Sequence, residues 1–249
     1  MTAADPHPAS GRPVVLRPQR ALFALCPPAV WPYARFEVTG AEHIPATGPA
    51  VLAGNHRSYF DIPTMIQMMR HTSRTGRILA KRELFDLPVI GRAAHALGGI
   101  PVDRASGSVE SLDAATRALE RGEIVCLLPQ GTIPRGERFF DPLLKGRTGA
   151  ARLAAATGAP VVPFGIWGSE QVWPRSSRLP RMHRLSRPPT VRVRVGPPLR
   201  LDGASPVADT QRIMAAIVGL LPPEARVERV PTEAEIALAT PRSRRRRHP

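Results

Sequence analysis

Residues 50–71 read "AVLAGNHRSYFDIPTMIQMMRH", and this stretch predicts a strand, a sharp turn and a helix in direct succession. Residues 50–53 are a short apolar run typical of a buried strand, and Gly54 interrupts it. From Asp61 onward the apolar residues recur at helical spacing, and Pro63 is compatible with a first helical turn. A strand that leads straight into a helix is the building unit of an α/β fold.

The side chains with acid–base chemistry in this stretch are His56 and Asp61, five positions apart. On one helix they would point about 140° away from each other, and on one strand they would lie on opposite faces. They can meet only if the chain turns between them. Such a turn places His56 at the carboxyl end of the strand and Asp61 at the mouth of the helix, where α/β proteins carry their active sites. The alternative is that Asp61 only caps the helix and His56 is only a polar turn residue.

The rest of the chain alternates between the same two kinds of element. Strand-like runs begin at Phe36, Ala50, Arg77, Ile100, Ile124, Pro160 and Thr190, and helical spacing covers residues 61–71, 109–121, 147–157 and 206–221. This alternation predicts an α/β fold, a single-domain αβ sandwich with a mixed central sheet flanked by helices. We expect residues 1–35 to form an N-terminal arm, 36–225 the domain and 226–249 a basic, disordered tail. The alternation in "TVRVRV" (190–195) predicts an outer strand with one buried face.

Composition narrows the function classes. The 249 residues carry 35 basic and 20 acidic side chains, a formal net charge of +15 that favours anionic partners. Cys26 and Cys126 match no metal or redox spacing and favour a reducing, cytoplasmic compartment. The chain lacks a G-x-S-x-G elbow, a phosphate-binding P-loop and an H-E-x-x-H pair, so neither a metal nor a cofactor is predicted.

Residues 21–36, "ALFALCPPAVWPYARF", are apolar but too short to span a bilayer and are broken by three prolines. Their aromatic side chains, Phe23, Trp31, Tyr33 and Phe36, either lie in a membrane interface or pack on the domain. Both possibilities remain open from the sequence.

Three further stretches follow the first in a fixed order. They are "LGGIPVDR" (97–104), "LLPQGTIPRG" (127–136) and "APVVPFGIWG" (159–168). Together with "NHRSYFD" (55–61) they resemble the four sequence blocks of the glycerolipid acyltransferases, and the most similar subgroup is the 1-acylglycerol-3-phosphate acyltransferases. The resemblance covers residues 36–200, and its most specific part is the first block.

The resemblance implies that His56 and Asp61 are a catalytic pair. His56 would act as a general base that takes the proton of an acceptor hydroxyl as this hydroxyl attacks a thioester carbonyl. Such help is typically worth ~10²–10⁴-fold in rate. Asp61 would fix the imidazole tautomer and stabilise the imidazolium, with the substrate hydroxyl in the place of a catalytic serine.

The resemblance also assigns the second and third blocks to the acceptor and its phosphate. The predicted substrate-binding residues are Asn55, Arg57, Ser58, Lys81, Arg104, Gly131, Thr132 and Arg135. Arg104 would offer a bidentate guanidinium, and the backbone N–H groups near Gly131 and Thr132 would approach an oxyanion. The chain departs from the family pattern at Pro101, Gln130 and Ile133, which replace a phenylalanine, a glutamate and an arginine.

We therefore expect an O-acyltransferase with acyl-CoA or acyl-ACP as co-substrate and a lysophosphatidate-type acceptor. It would lie in the cytoplasm, peripherally associated with an anionic membrane surface, and nucleic acid is not the expected partner. The departures at Gln130 and Ile133 leave open a different lysophospholipid or glycolipid hydroxyl. The +15 charge and the arginines at 244–247 leave open a non-catalytic protein that binds polyanions or membranes.

Overall fold

A computed structural model describes residues 14–103, 109–183 and 185–241, in which seven strands form one sheet. The strands are β1 (Arg35–Thr39), β2 (Ala50–Gly54), β3 (Gly76–Lys81), β4 (Ile100–Val102), β5 (Ile124–Leu127), β6 (Val161–Trp167) and β7 (Thr190–Val195). The helices are α1 (Arg17–Leu25), α2 (Asp61–Arg70), α3 (Arg82–Phe85), α4 (Pro88–Ala96), α5 (Val109–Glu120), α6 (Gly149–Thr157), α7 (Ser169–Val172), α8 (Pro206–Leu220) and α9 (Glu233–Ala239). Short 3₁₀ helices cover Pro28–Val30, Ala41–His43, Gly136–Phe139 and Pro223–Ala225.

The strand order is β1-β7-β6-β2-β5-β3-β4, which confirms the predicted mixed sheet. β2 lies at the centre and runs parallel to both of its neighbours, β5 and β6. β7 is antiparallel to β6 and parallel to β1. The expectation that β7 is an outer strand was wrong, because β1 covers it and forms the edge. The alternating valines of β7 indicate that one face of the strand is buried, but they do not indicate whether a further strand pairs with its edge.

The two faces of the sheet carry separate apolar clusters, so the domain has three layers. Leu52 of β2 packs on one face with the methionines of α2, such as Met65. Val51 and its neighbours pack on the other face with α5, α6 and α8, where Ile213 is fully buried. Every residue of β2 is buried, as expected for a parallel strand with helices on both sides.

The N-terminal arm packs on the domain through its aromatic residues. Phe23 is buried, and the rings of Trp31, Tyr33 and Phe36 lie 5.4, 6.3 and 5.9 Å from the ring of Phe60. The sequence left open whether these aromatic residues lie in a membrane interface or pack on the domain, and the contacts correspond to packing on the domain. Residues 1–13 lie outside the described residues.

The C-terminal segment contains a helix where a disordered tail was expected. The side chain of Thr232 accepts a hydrogen bond from the backbone N–H of Glu235, and the Glu235 carboxylate accepts one from the backbone N–H of Thr232. These two bonds form a capping box at the start of α9. Ala239 is buried against Ile133 and Phe139. Residues 242–249, the arginine-rich end of the predicted tail, lie outside the described residues.

Candidate active site

The loops that follow β2, β5 and β6 meet at one edge of the sheet. These three strands are adjacent and parallel, so their carboxyl ends point the same way. Gly54, the last residue of β2, lies against the ring of Phe164, and a side chain at position 54 would collide with that ring. A glycine is therefore needed at the end of β2, directly before the turn that carries His56.

The imidazole and the carboxylate predicted to meet do so. His56 Nδ1 lies 2.7 Å from Asp61 Oδ2, and 16% of the His56 side chain is exposed while Asp61 is fully buried. The bond requires the proton of a neutral imidazole to lie on Nδ1, which leaves the lone pair of Nε2 for a substrate. The turn between β2 and α2 therefore presents a correctly oriented base.

Asp61 does not act as the helix cap that the sequence left open as an alternative. It is the first residue of α2, and no side chain caps this helix. Its carboxylate turns back instead, and Oδ2 accepts hydrogen bonds from the backbone N–H groups of Arg57, at 2.7 Å, and Ser58, at 2.9 Å. Oδ1 accepts a third from the hydroxyl of Ser169, at 2.6 Å. An ionised carboxylate is an acceptor only, and this set of donors matches it.

Two predicted substrate-binding residues are already bonded within the protein. The amide of Asn55 donates to Ile166 O at 2.9 Å and accepts from Ile166 N at 2.7 Å. Ser58 donates to Trp173 O at 2.6 Å and accepts from Phe60 N at 3.0 Å. Both side chains are buried. The side chains of Asn55 and Ser58 thus hold the loop through bonds within the protein, and their direct contact with a substrate stays a prediction.

Arg57 also turns inward. Its guanidinium lies between the rings of Phe139 and Trp167, 4.3 and 4.0 Å from their centroids, and its Nη2 donates to Glu170 at 3.0 Å. Such stacking stabilises a buried cation. These side chains line a cavity of about 280 Å³, so Arg57 is a candidate for ligand contact.

The third block supports His56 from the other side. Gln130 Oε1 accepts a hydrogen bond of 2.7 Å from the backbone N–H of His56. A glutamate, which the family pattern has at this position, would offer the same kind of acceptor. The departure at Gln130 therefore keeps an acceptor for the backbone N–H of His56.

The remaining predicted acceptor residues differ in their fit. Gly131 adopts a left-handed φ of 68°, and its N–H donates to Leu128 O at 2.9 Å, so this N–H is already bonded within the protein. Thr132 and Arg135 are exposed. The side chain of Arg147 lies over Gly131, with Nε 3.0 Å from the position that a Cβ there would take. Arg147 thus supplies a cation beside the third block.

The other two predicted acceptor residues are Lys81, at the end of β3, and Arg104. Lys81 ends β3, is half exposed and forms an ion pair of 2.6 Å with Glu83. Arg104 lies outside the described residues. The edge of the sheet that carries His56 also carries the end of β3, because β3 is parallel to β5.

A second cavity is almost entirely apolar. It measures about 220 Å³ and lies between α1, α2, β3 and α4, with Phe23, Ile62, Met65 and Ile78 in its wall. Cys126 also lines it, and burial raises the pKa of this thiol to about 12. The thiol is therefore neutral at physiological pH and is not a nucleophile. Across the described ranges, no cluster of three or more His, Cys, Asp or Glu side chains has the arrangement of a metal site.

The sequence did not indicate Ser169, which contacts Asp61, or Glu170, which contacts Arg57. Both follow directly after β6, in the first turn of α7. The available signal is their place at the carboxyl end of a strand adjacent to β2, but both residues lie beyond the fourth block, which ends at Gly168.

Comparison with known proteins gives consistent results. The family model described as Acyltransferase matches residues 35–167. The 1-acyl-sn-glycerol-3-phosphate acyltransferase BAT2, chloroplastic, of Brassica napus is 30% identical over 152 residues, which cover 60% of this chain and 42% of that protein. The 1-acyl-sn-glycerol-3-phosphate acyltransferase alpha of Mus musculus is 29% identical over 175 residues, which cover 69% and 57%. The chain thus spans less than two thirds of the length of these relatives.

A solved structure has the same fold. The crystal structure of the 1-acyl-sn-glycerophosphate (LPA) acyltransferase PlsC from Thermotoga maritima superimposes with a TM-score of 0.57, over 81% of this chain and 77% of that one. The sequences are 22% identical, so this likeness concerns the fold.

Proposed function

This chain belongs to the Acyltransferase family, and from that premise we propose that it transfers a fatty acyl group from acyl-CoA or acyl-ACP to the hydroxyl of a lysophosphatidate-type lipid. The observation that carries this proposal is the 2.7 Å contact between His56 Nδ1 and Asp61 Oδ2 in a partly exposed turn. The names of the relatives support the choice of acceptor.

The proposed reaction is a direct transfer. The acceptor oxygen bonds to the thioester carbonyl carbon while its proton passes to His56 Nε2. Asp61 stabilises the imidazolium that forms. The tetrahedral intermediate then expels the thiolate, which takes the proton from Nε2, and an ester and a free thiol result. No covalent acyl-enzyme is required.

The anionic group of the acceptor needs cations at the same edge of the sheet. Lys81, Arg135 and Arg147 are the exposed candidates in the described part of the chain, and Arg104 is the candidate from the resemblance. A phosphate binds guanidinium groups through charge-assisted hydrogen bonds. The isoleucine at position 133, where the family pattern has arginine, is buried and supports the alternative of a different lipid hydroxyl.

A panel of acceptors tests this proposal. Purified protein is supplied with one labelled acyl-CoA and, separately, with lysophosphatidate, other lysophospholipids and glycolipids. Preferred acylation of lysophosphatidate would support the proposal, and preferred acylation of another lipid would support the alternative. Salt-sensitive binding of nucleic acid without acyl transfer to any acceptor would favour a non-catalytic polyanion binder.

The apolar cavity is the proposed site of the acyl chain, and filling it should shorten the preferred chain. Ala94 of α4 lines this cavity and Ala96 of the same helix does not. We expect Ala94→Phe to lower kcat/KM for a 16-carbon donor relative to a 12-carbon donor by about 10-fold or more, since each buried methylene contributes about 0.8 kcal/mol. Ala96→Phe is the matched control and should leave the ratio unchanged. An unchanged ratio of kcat/KM values in Ala94→Phe, measured with purified acyl-CoAs, would rule out this cavity as the site of the acyl chain.

We also propose that the protein contacts the cytoplasmic face of an anionic membrane through the segment at the mouth of the apolar cavity. No helix of the described residues is long and apolar enough to cross a bilayer. Leu87, Val89 and Ile90 at the start of α4 are nevertheless 45%, 78% and 50% exposed, and Arg82 and Arg92 beside them are exposed as well. Apolar side chains flanked by cations match a surface of anionic lipids.

A charge placed in this segment should weaken membrane binding. We expect Val89→Glu to lower the partition coefficient on vesicles that contain an anionic phospholipid by about 10-fold or more. The substitution removes an exposed apolar group that membrane binding would bury in the lipid, and its negative charge repels the anionic lipid. Val207→Glu is the matched control, since Val207 is 60% exposed at the start of α8, which packs on the opposite face of the sheet. Equal effects of the two substitutions in a vesicle sedimentation assay would refute this surface.

A further inference from the structure

We propose that Ser169 is a positioning residue for the general base, because its hydroxyl holds the Asp61 carboxylate in the orientation that His56 requires. This inference rests on the proposed function, in which His56 and Asp61 carry out the proton transfer. It concerns a residue beyond the matched family region, which ends at residue 167.

The contact itself is short and sealed from solvent. Ser169 Oγ lies 2.6 Å from Asp61 Oδ1, and both side chains are fully buried. A carboxylate has no proton to donate, so the serine hydroxyl is the donor. The serine proton is therefore committed to Asp61 and does not take part in the acyl transfer.

The two oxygens of Asp61 have different tasks. Oδ2 receives His56 Nδ1 together with two backbone N–H groups, and Oδ1 receives Ser169. The terminal torsion of an aspartate is broad and roughly two-fold, so its preference alone does not fix which oxygen faces the imidazole. The hydroxyl anchors the oxygen that His56 does not use, and the plane of the carboxylate is thereby fixed. Without Ser169, Oδ1 would be buried without this partner.

Ser169 is itself held by a well-connected segment, residues 166–175, which we call the clamp segment. Its Glu170 accepts from the N–H of Gly168, at 3.1 Å, and from Arg57. The clamp segment contacts every polar side chain of the first block except His56. The pairs are Asn55 with Ile166, Arg57 with Glu170, Ser58 with Trp173, Tyr59 with Arg175 and Asp61 with Ser169. The geometry of the catalytic turn is therefore set from this distant segment.

The direct test is Ser169→Ala. A hydrogen bond to a charged group contributes about 1.5–3 kcal/mol, so we expect kcat to fall by about 10- to 100-fold. The KM values of donor and acceptor should stay within about two-fold, because Ser169 contacts Asp61 and not the substrate. Ser169→Thr keeps the hydroxyl and should recover most of the rate. Ser177→Ala is the matched control, since Ser177 lies just beyond the clamp segment and its hydroxyl bonds to Leu179 O.

A double-mutant cycle separates positioning from a general loss of structure. In an Asp61→Asn background the hydroxyl has no carboxylate to hold, so Ser169→Ala should lower kcat by less than about two-fold further. A further loss as large as that in the wild-type background would overturn the inference. So would a wild-type rate in Ser169→Ala, or a Ser169→Thr variant as impaired as the alanine variant.

His56→Ala in the same assay distinguishes the two levels of the proposal. An inactive His56→Ala beside a fully active Ser169→Ala would end the inference on Ser169 and leave the proposed function intact. An active His56→Ala would refute the proposed mechanism, on which Ser169 depends.

Discussion

Replacing His56 with alanine should lower kcat by ~10²–10⁴-fold, the range by which a positioned general base accelerates proton transfer. His56 Nδ1 bonds to Asp61, which leaves the ring nitrogen Nε2 to accept the proton. Among the described residues, no other base is bonded to Asp61 that could replace the imidazole. The acceptor hydroxyl would then attack without loss of its proton to the protein. Steady-state rates with acyl-CoA and lysophosphatidate, at enzyme concentrations that reveal residual turnover, measure this effect.

The fold should tolerate the same substitution. The His56 side chain is partly exposed, and its backbone bond to Gln130 does not depend on the imidazole. We expect an unchanged thermal midpoint and unchanged binding to lipid vesicles. His43→Ala is the matched control, because it removes an imidazole that bonds to Val195 O instead, and it should retain the full rate. Near-normal turnover of His56→Ala would rule out the base.

Asp61→Asn should be nearly as damaging and should also reduce stability. In the serine-protease triad, the corresponding change costs about 10⁴-fold in kcat, and we expect a loss of about 10³–10⁴-fold here. An amide has one acceptor oxygen, whereas Asp61 receives donors on both oxygens. In Asp61→Asn, the amide NH₂ therefore replaces one carboxylate oxygen and meets hydrogen-bond donors that it cannot accept from. Leaving buried donors unpaired costs about 1–3 kcal/mol in the free energy of unfolding.

Two measurements on Asp61→Asn check these expectations. Kinetics give the loss of kcat, and denaturant titration gives the free energy of unfolding. Asp113→Asn, at an exposed site on α5, is the control with the same change of charge and should be neutral in both. A variant that is destabilised but turns over at the wild-type rate would show that the carboxylate is only structural.

The seven strands of the described residues were predictable because each is a short run, either apolar throughout or with alternating apolar residues, between turn residues. Several helices were not. α4 contains Pro88 and Gly91, which look like breaks in a helical pattern. Pro88 lies in the first turn, where its missing N–H is not needed, and Gly91 lies so close to the backbone of Phe85 that no side chain fits. These are tertiary reasons that composition does not reveal.

The contact between His56 and Asp61 was predictable from a local constraint, because only a turn lets residues five positions apart meet. The roles of Asn55, Ser58 and Ser169 depend on contacts across more than a hundred residues. Polar residues next to a catalytic histidine look alike in sequence, whether they bind substrate or hold the loop. The strand order, with β6 directly beside β2, decides between the two roles.

The most direct test of the central claim is a single acyl-transfer experiment with product identification. Purified wild-type protein and the His56→Ala variant are each incubated with labelled acyl-CoA and lysophosphatidate in lipid vesicles, and the lipids are resolved by mass spectrometry. We predict labelled phosphatidic acid from the wild-type protein and at most a trace from the variant. Equal yields from the two proteins, or no labelled phosphatidic acid from the wild-type protein, would contradict a His56–Asp61 acyl transfer to lysophosphatidate.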